Sequence, residues 1–106
     1  MAQEVRYKVI WTDPAICDLE KINRDLRRRN PVVAFTIGES LLKKAKMLEQ
    51  FPEIGRVWKP GDPWRLLLYR PYKIFYRVLH EQRAVEIAHV RHGAQSEPTT
   101  DDLPIE

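Results

Sequence analysis

Three runs of aromatic and branched residues in the second half of the chain leave it few ways to fold. Trp64 to Tyr69, Tyr72 to Leu79 and Ala84 to Arg91 are separated only by Arg70-Pro71 and by His80-Glu81-Gln82-Arg83. Parallel neighbours need a crossover of a dozen residues or more, so gaps this short imply hairpins and a three-stranded antiparallel meander. In the last run Val85 and Ile87 share a parity that Val90 breaks. That break predicts a β-bulge near Ala88-His89, which turns Arg91 and His92 out of strict alternation.

The first half reads differently. Val5, Tyr7, Val9 and Trp11 alternate with Arg6, Lys8 and Ile10, the two-residue period of a strand over residues 5 to 11. Thr12 or Asp13 then caps a helix with Pro14 in its first turn, where a missing N–H costs nothing. Ala15, Leu19, Ile22 and Leu26 recur at helical spacing, while Asp18, Glu20, Lys21, Arg24 and Arg27 mostly occupy other faces. Asn30-Pro31 repeats the cap-then-proline signal after about Arg29 and opens a second helix lined by Ala34, Ile37, Leu41, Ala45 and Leu48. Pro52 and Gly55 mark its end, and residues 52 to 63 show no period and read as a surface loop with Trp58 packed on the body.

The fold class is therefore α+β: an N-terminal strand, an antiparallel helical hairpin, then the meander, forming one sheet with the helices on one face and the other face free. The first strand is followed by a helix, so it joins the sheet by a longer connection, at an edge or between later strands. Residues 1–94 make one domain. Residues 95–106 are too polar and proline-broken to add to a core and are expected to be an acidic, flexible tail.

With 106 residues the chain holds one compact core, and its 43% apolar content supports one. No uncharged apolar run is long enough for a bilayer, and the first residues lack a secretory signal, so the expectation is a cytoplasmic protein with no membrane partner. Cys17 is the single cysteine, which excludes an internal disulfide and a thiolate cluster. The net charge of +3 conceals a more basic body, because Glu97, Asp101, Asp102 and Glu106 lie in a tail without Lys or Arg and the remaining chain carries +7. Such a body suits nucleic acid, the ribosome or an acidic protein.

Among side chains able to do chemistry, His92 stands at a strand end, where an imidazole can act as acid or base near neutral pH. It can equally bond backbone or pack on an aromatic ring. Arg65, Arg70, Lys73 and Arg77 could form a cationic face for phosphate or carboxylate, or an ordinary solvated sheet face. Tyr69, Tyr72 and Tyr76 could stack on bases or belong to the core. His89 and His92, three apart on a strand, diverge in direction, so no metal is expected, and no cofactor.

The chain resembles the RelE/ParE toxin superfamily. The resemblance rests on Val9-Ile10-Trp11-Thr12-Asp13-Pro14-Ala15 with Asp18-Leu19, on Phe51-Pro52-Glu53-Ile54-Gly55-Arg56, on Arg65-Leu66, on Tyr72-Lys73-Ile74-Phe75-Tyr76-Arg77-Val78, and on Val85-Glu86-Ile87 before Val90-Arg91-His92-Gly93. It implies a growth-inhibiting toxin, of the plasmid-stabilisation kind, neutralised by a cognate acidic antitoxin and reaching DNA only indirectly through that complex. Two targets follow from it: ribosome-bound messenger RNA, cut by a metal-independent endoribonuclease, or DNA gyrase. For the nuclease, the resemblance would put Arg65, Lys73 and His92 at functional positions. However, Gly93 stands about where the RelE nuclease has its Arg, and no Tyr follows. The Val-Arg-His-Gly ending and the two long helices look more like the ParE side, for which Arg91 and His92 at the strand exit are the candidate surface. A non-toxic nucleic-acid-binding module is the remaining alternative.

Overall fold

The computed structural model describes residues 6–93. In chain order these form β1 (Lys8–Trp11), α1 (Asp13–Arg29), α2 (Pro31–Lys46), a 3-10 turn (Met47–Glu49), β2 (Arg56–Val57), β3 (Trp64–Tyr69), β4 (Tyr72–Leu79) and β5 (Ala84–His92). Residue 5 of the expected first strand and the expected tail at 95–106 lie outside the described residues.

The strands form one sheet in the order β1-β5-β4-β3-β2. The meander is antiparallel, and β1 joins it at the edge, parallel to β5, with Lys8 opposite Ala84 and Trp11 opposite Ile87. The two helices provide the long connection that a parallel pair requires. One element departs from the sequence reading. Within the segment read as a loop, Arg56 and Val57 pair with Leu66 and Arg65 as a two-residue edge strand, too short to show a period.

Both helix starts follow the cap-then-proline signal. Thr12 Oγ1 accepts from Ala15 N at 3.3 Å, and Asn30 Oδ1 accepts from Val32 N and Val33 N at 3.0 and 3.3 Å. Asn30 also donates its own N–H to Leu26 O at 2.8 Å, so one residue closes α1 and opens α2. The helices run antiparallel: Asn23 reaches Ala34 O, and Leu19 shares a groove with Leu42 further from the turn. Their apolar faces, with Ala15, Leu41 and Ala45 fully buried, pack on Tyr72, Ile74, Tyr76, Val85, Ile87 and Val90 of the sheet. Burying a Leu, Ile or Val side chain fully, as at Leu41, Ile74, Val85 and Ile87, contributes about 1.5–3 kcal/mol.

The opposite sheet face is not wholly free. Trp64 and Ala88 form a second buried cluster with Trp58 packed on it, and Trp58 meets Phe75 edge-on at 5.2 Å. The segment that brings Trp58 across is held by its N–H on Trp64 O at 3.0 Å. Arg77 is buried here as well, 2.7 Å from Glu86 and 5.0 Å above the Trp64 ring. A cation expected on an open face is instead part of the packing.

Gly55 is where the loop touches the core. Its N–H donates to the buried Tyr76 hydroxyl at 2.8 Å, and a Cβ there would lie 2.7 Å from that oxygen and 2.9 Å from Leu66 O. Gly55→Ala should therefore destabilise the chain by about 1–3 kcal/mol through overpacking. Tyr76→Phe should cost about 1–3 kcal/mol by leaving the Gly55 N–H without its acceptor. Urea unfolding of both variants checks this, and wild-type midpoints would contradict the packing described.

Candidate functional site

The C-terminal half of β5 outruns its neighbour. β1 stops opposite Ile87, and Thr12 extends the ladder by one step, donating its N–H to Ile87 O at 3.1 Å. Beyond that point the sheet edge would show an unmet Val90 N–H. The carboxylate of Asp18, one and a half turns into α1, accepts it at 2.9 Å. The same carboxylate lies 2.9 Å from His89 Nδ1 and 3.0 Å from Arg91 Nη1. Asp18 thus faces the sheet edge, not the outer helix surface to which its spacing assigned it.

The bulge stands where parity placed it. Phe75 pairs with His89 and Tyr76 with Ile87, so Ala88 is the extra residue. Val90 rejoins the helix-covered face, and Arg91 and His92 leave the strand on opposite faces.

Between α1 and this strand end lies a cleft of about 840 Å³. Lys21, Asp25 and Arg29 recur four apart and line its helix wall; Arg91, His92 and Tyr72 line the other side. His92 sits edge-on to Tyr72 with ring centroids 5.5 Å apart. Gly93 N then donates to Pro71 O at 2.6 Å, closing the end of the strand against the β3–β4 turn. The cleft has three cations to two carboxylates, and one of those carboxylates is engaged by Arg91. No group of three or more His, Cys, Asp or Glu among the described residues is placed to hold a metal.

The structure brings together only some of the residues singled out from sequence. Lys73 is directly opposite Arg91, and His92 is opposite Tyr72. Arg65 is elsewhere. It pairs with Tyr76 on the helix-covered face, whereas Lys73, three residues from Tyr76, lies on the other face. Arg65 is also tied down, with Nη1 2.7 Å from Gly55 O and Nη2 3.3 Å from Glu53 Oε2. Asp18, Lys21 and Arg29 escaped the sequence reading as site residues, and Tyr72 was singled out only for base stacking or the core. The four-residue spacing of Lys21, Asp25 and Arg29 was visible; that the helix lies against a strand end was not.

A family model described as the ParE toxin of the parDE type II toxin–antitoxin system matches residues 9–97. The chain belongs to this family. It is the toxin of a type II toxin–antitoxin system. No curated protein is significantly similar in sequence. Among solved structures, this ParE-family toxin is similar to the chromosomal ParDE system from P. aeruginosa at 25% identity and a TM-score of 0.69, over 82% of this chain and 96% of the other. It is similar to the RelBE2 toxin–antitoxin complex from Mycobacterium tuberculosis at 22% identity and a TM-score of 0.65, over 90% and 100%. The isolated E. coli RelE toxin matches at 20% identity and a TM-score of 0.64, over 86% and 88%. ParDE and RelBE toxins share the fold, so the backbone does not separate the two. No helix among the described residues is long and apolar enough to cross a membrane.

Two phenols give the site and the core an alkaline signature. Burial pushes Tyr72 above the ordinary tyrosine value of 10.0, with Arg29 opposing, and burial does the same for Tyr76. A folded-state pKa above the unfolded one means that the unfolded chain loses the proton first. The stabilisation is complete below pH 10 and is lost as pH rises through the folded values. Absorbance titration near 295 nm should show two tyrosines ionising late, one fewer in Tyr72→Phe. If Tyr72→Phe leaves the late-ionising part of the titration unchanged while the fold persists, the burial of this ring is wrong.

Proposed function

We propose that this toxin arrests bacterial growth in the cytoplasm by acting on DNA gyrase through the Arg91-His92 end of β5, and that an acidic antitoxin holds it in check. The observation that carries the choice of target is the separation of Arg65 from Lys73. Metal-free RNA cleavage needs a base, an acid and a phosphate-stabilising cation within reach of one scissile bond. Here the sheet stands between the two cations, and Arg65 is bound to Glu53 and Gly55. The match to the ParE family supports the same reading.

The antitoxin reading is supported by the helical hairpin. Val32, Phe35 and Leu42 of α2 are 73%, 70% and 50% exposed, and the neighbouring groove between the helices is lined by Arg24 and Arg27. An amphipathic helix with acidic flanks complements an apolar stripe beside cations. Solved relatives include complexes of toxin with antitoxin.

Inducible expression of the full chain in bacteria tests the proposal. Growth should stop, and co-expression of the small acidic protein encoded beside it should restore growth. Gyrase supercoiling should fall in the presence of the purified toxin, and primer extension should find no new messenger RNA ends. Arg91→Ala with His92→Ala should abolish arrest while antitoxin binding survives. Codon-specific RNA cleavage with gyrase unaffected would move the chain to the nuclease branch, and a gel shift on nucleic acid without any growth defect would make it a binding module.

A further inference from the structure

Arg91 stands on a strand that an extra residue has just pushed out of alternation, so its aim is not set by the sheet alone. Two features there are soft. The bulge at Ala88 loosens the register between β4 and β5, and the missing continuation of β1 leaves the β5 edge open. Asp18 meets both. Its Oδ2 takes the Val90 N–H and faces His89 Nδ1, which leaves Oδ1 to take Arg91 Nη1 at 3.0 Å. Holding the edge would require only a neutral acceptor. A carboxylate adds a charge-assisted contact that fixes one end of a guanidinium while the side chain lines the cleft.

We infer that Asp18 is a positioning residue for Arg91, setting where the guanidinium stands at the mouth of the cleft and thereby the potency of the toxin. The inference rests on the reading of Arg91 and His92 as the toxic surface. Asp18 itself is not a contact for the target. Its side chain is 15% exposed, and both of its oxygens are engaged.

The test compares the inducer level at which the full-length chain arrests growth, at matched protein amount, for Asp18→Asn and Arg91→Gln singly and together. Asp18→Asn keeps the shape and an acceptor for Val90. Losing a charge-assisted hydrogen bond should lower potency about tenfold in the wild-type background. In the Arg91→Gln background the same change should lower potency little further, because the guanidinium that Asp18 holds is already gone. That split separates aiming from structural support, which would reduce potency by the same factor in both backgrounds and would overturn the inference. Full potency of Asp18→Asn beside an impaired Arg91→Gln would also overturn it, while leaving the toxic surface intact. If Arg91→Gln itself keeps full potency, the site reading falls and this inference falls with it. Should Asp18→Asn lose its helical circular dichroism, Asp18→Glu takes its place. It keeps the charge but displaces the guanidinium, so potency should drop several-fold with Arg91 present and hold steady with Arg91→Gln.

Discussion

A strand that outruns its neighbour exposes N–H groups that something must accept, and in this chain a helix side chain does it. β1 ends at Trp11 because Thr12 and Pro14 turn the backbone into α1, yet β5 continues for several residues beyond that point. Asp18 comes round on the next turns of the helix and offers its carboxylate to Val90 N, His89 Nδ1 and Arg91 Nη1. Thr12 ties the same junction from below, its hydroxyl donating to Ile87 O at 2.8 Å. These contacts, 71 to 76 residues apart in sequence, fix the helix layer relative to the sheet. The cleft lies between α1, held at the β5 edge by Asp18 and lined as far as Arg29, and the end of β5.

Much of this architecture was legible in the sequence because it depends on period and punctuation. The alternation in β1, the apolar faces of α1 and α2 and the two cap-then-proline starts are local signals, and the elements formed where these lay, except that β1 begins at Lys8 and leaves Arg6 and Tyr7 outside the ladder. The bulge was readable too, since the change of parity between Ile87 and Val90 has few other causes. The two-residue β2 was not readable, because its pairing is decided by β3. Neither was the pairing of β1: periodicity places a strand without naming its neighbour.

The site was less legible for a related reason. Charged residues on a strand were read by type, whereas their roles depend on which face they share and what reaches them. Arg65 and Lys73 look like a pair in sequence, but an odd or even count from Tyr76 sends them to opposite faces. Asp18 looked like a solvated helix position because it falls with the charged Glu20, Lys21, Arg24 and Arg27 off the apolar face. Only the end of β1 opposite Ile87, a tertiary fact, turns that position inward. Tyr72 sets an aromatic ring edge-on against His92 from a different strand, which no inspection of residues after His92 could reveal.

The same reasoning changes what the basic composition means. On the sheet, Arg65, Arg77 and Arg91 are each matched by a carboxylate, from Glu53, Glu86 and Asp18. In the helix layer the cations gather in two clusters instead, where Arg27, Arg28 and Arg29 end α1 and Lys43, Lys44 and Lys46 end α2. Each cluster lies at a helix C-terminus, where the macrodipole favours cations. Because the helices are antiparallel, the clusters fall at opposite ends of the layer with the exposed Phe35 and Leu42 between them. Were an acidic antitoxin helix to dock on α2 as proposed, a field of this shape would orient it before any apolar contact formed, and salt would slow that approach more than it would loosen the docked state. Arg29 belongs both to the α1 cluster and to the cleft that Arg91 and His92 line, so the basic end of α1 joins the helix layer to the end of the sheet.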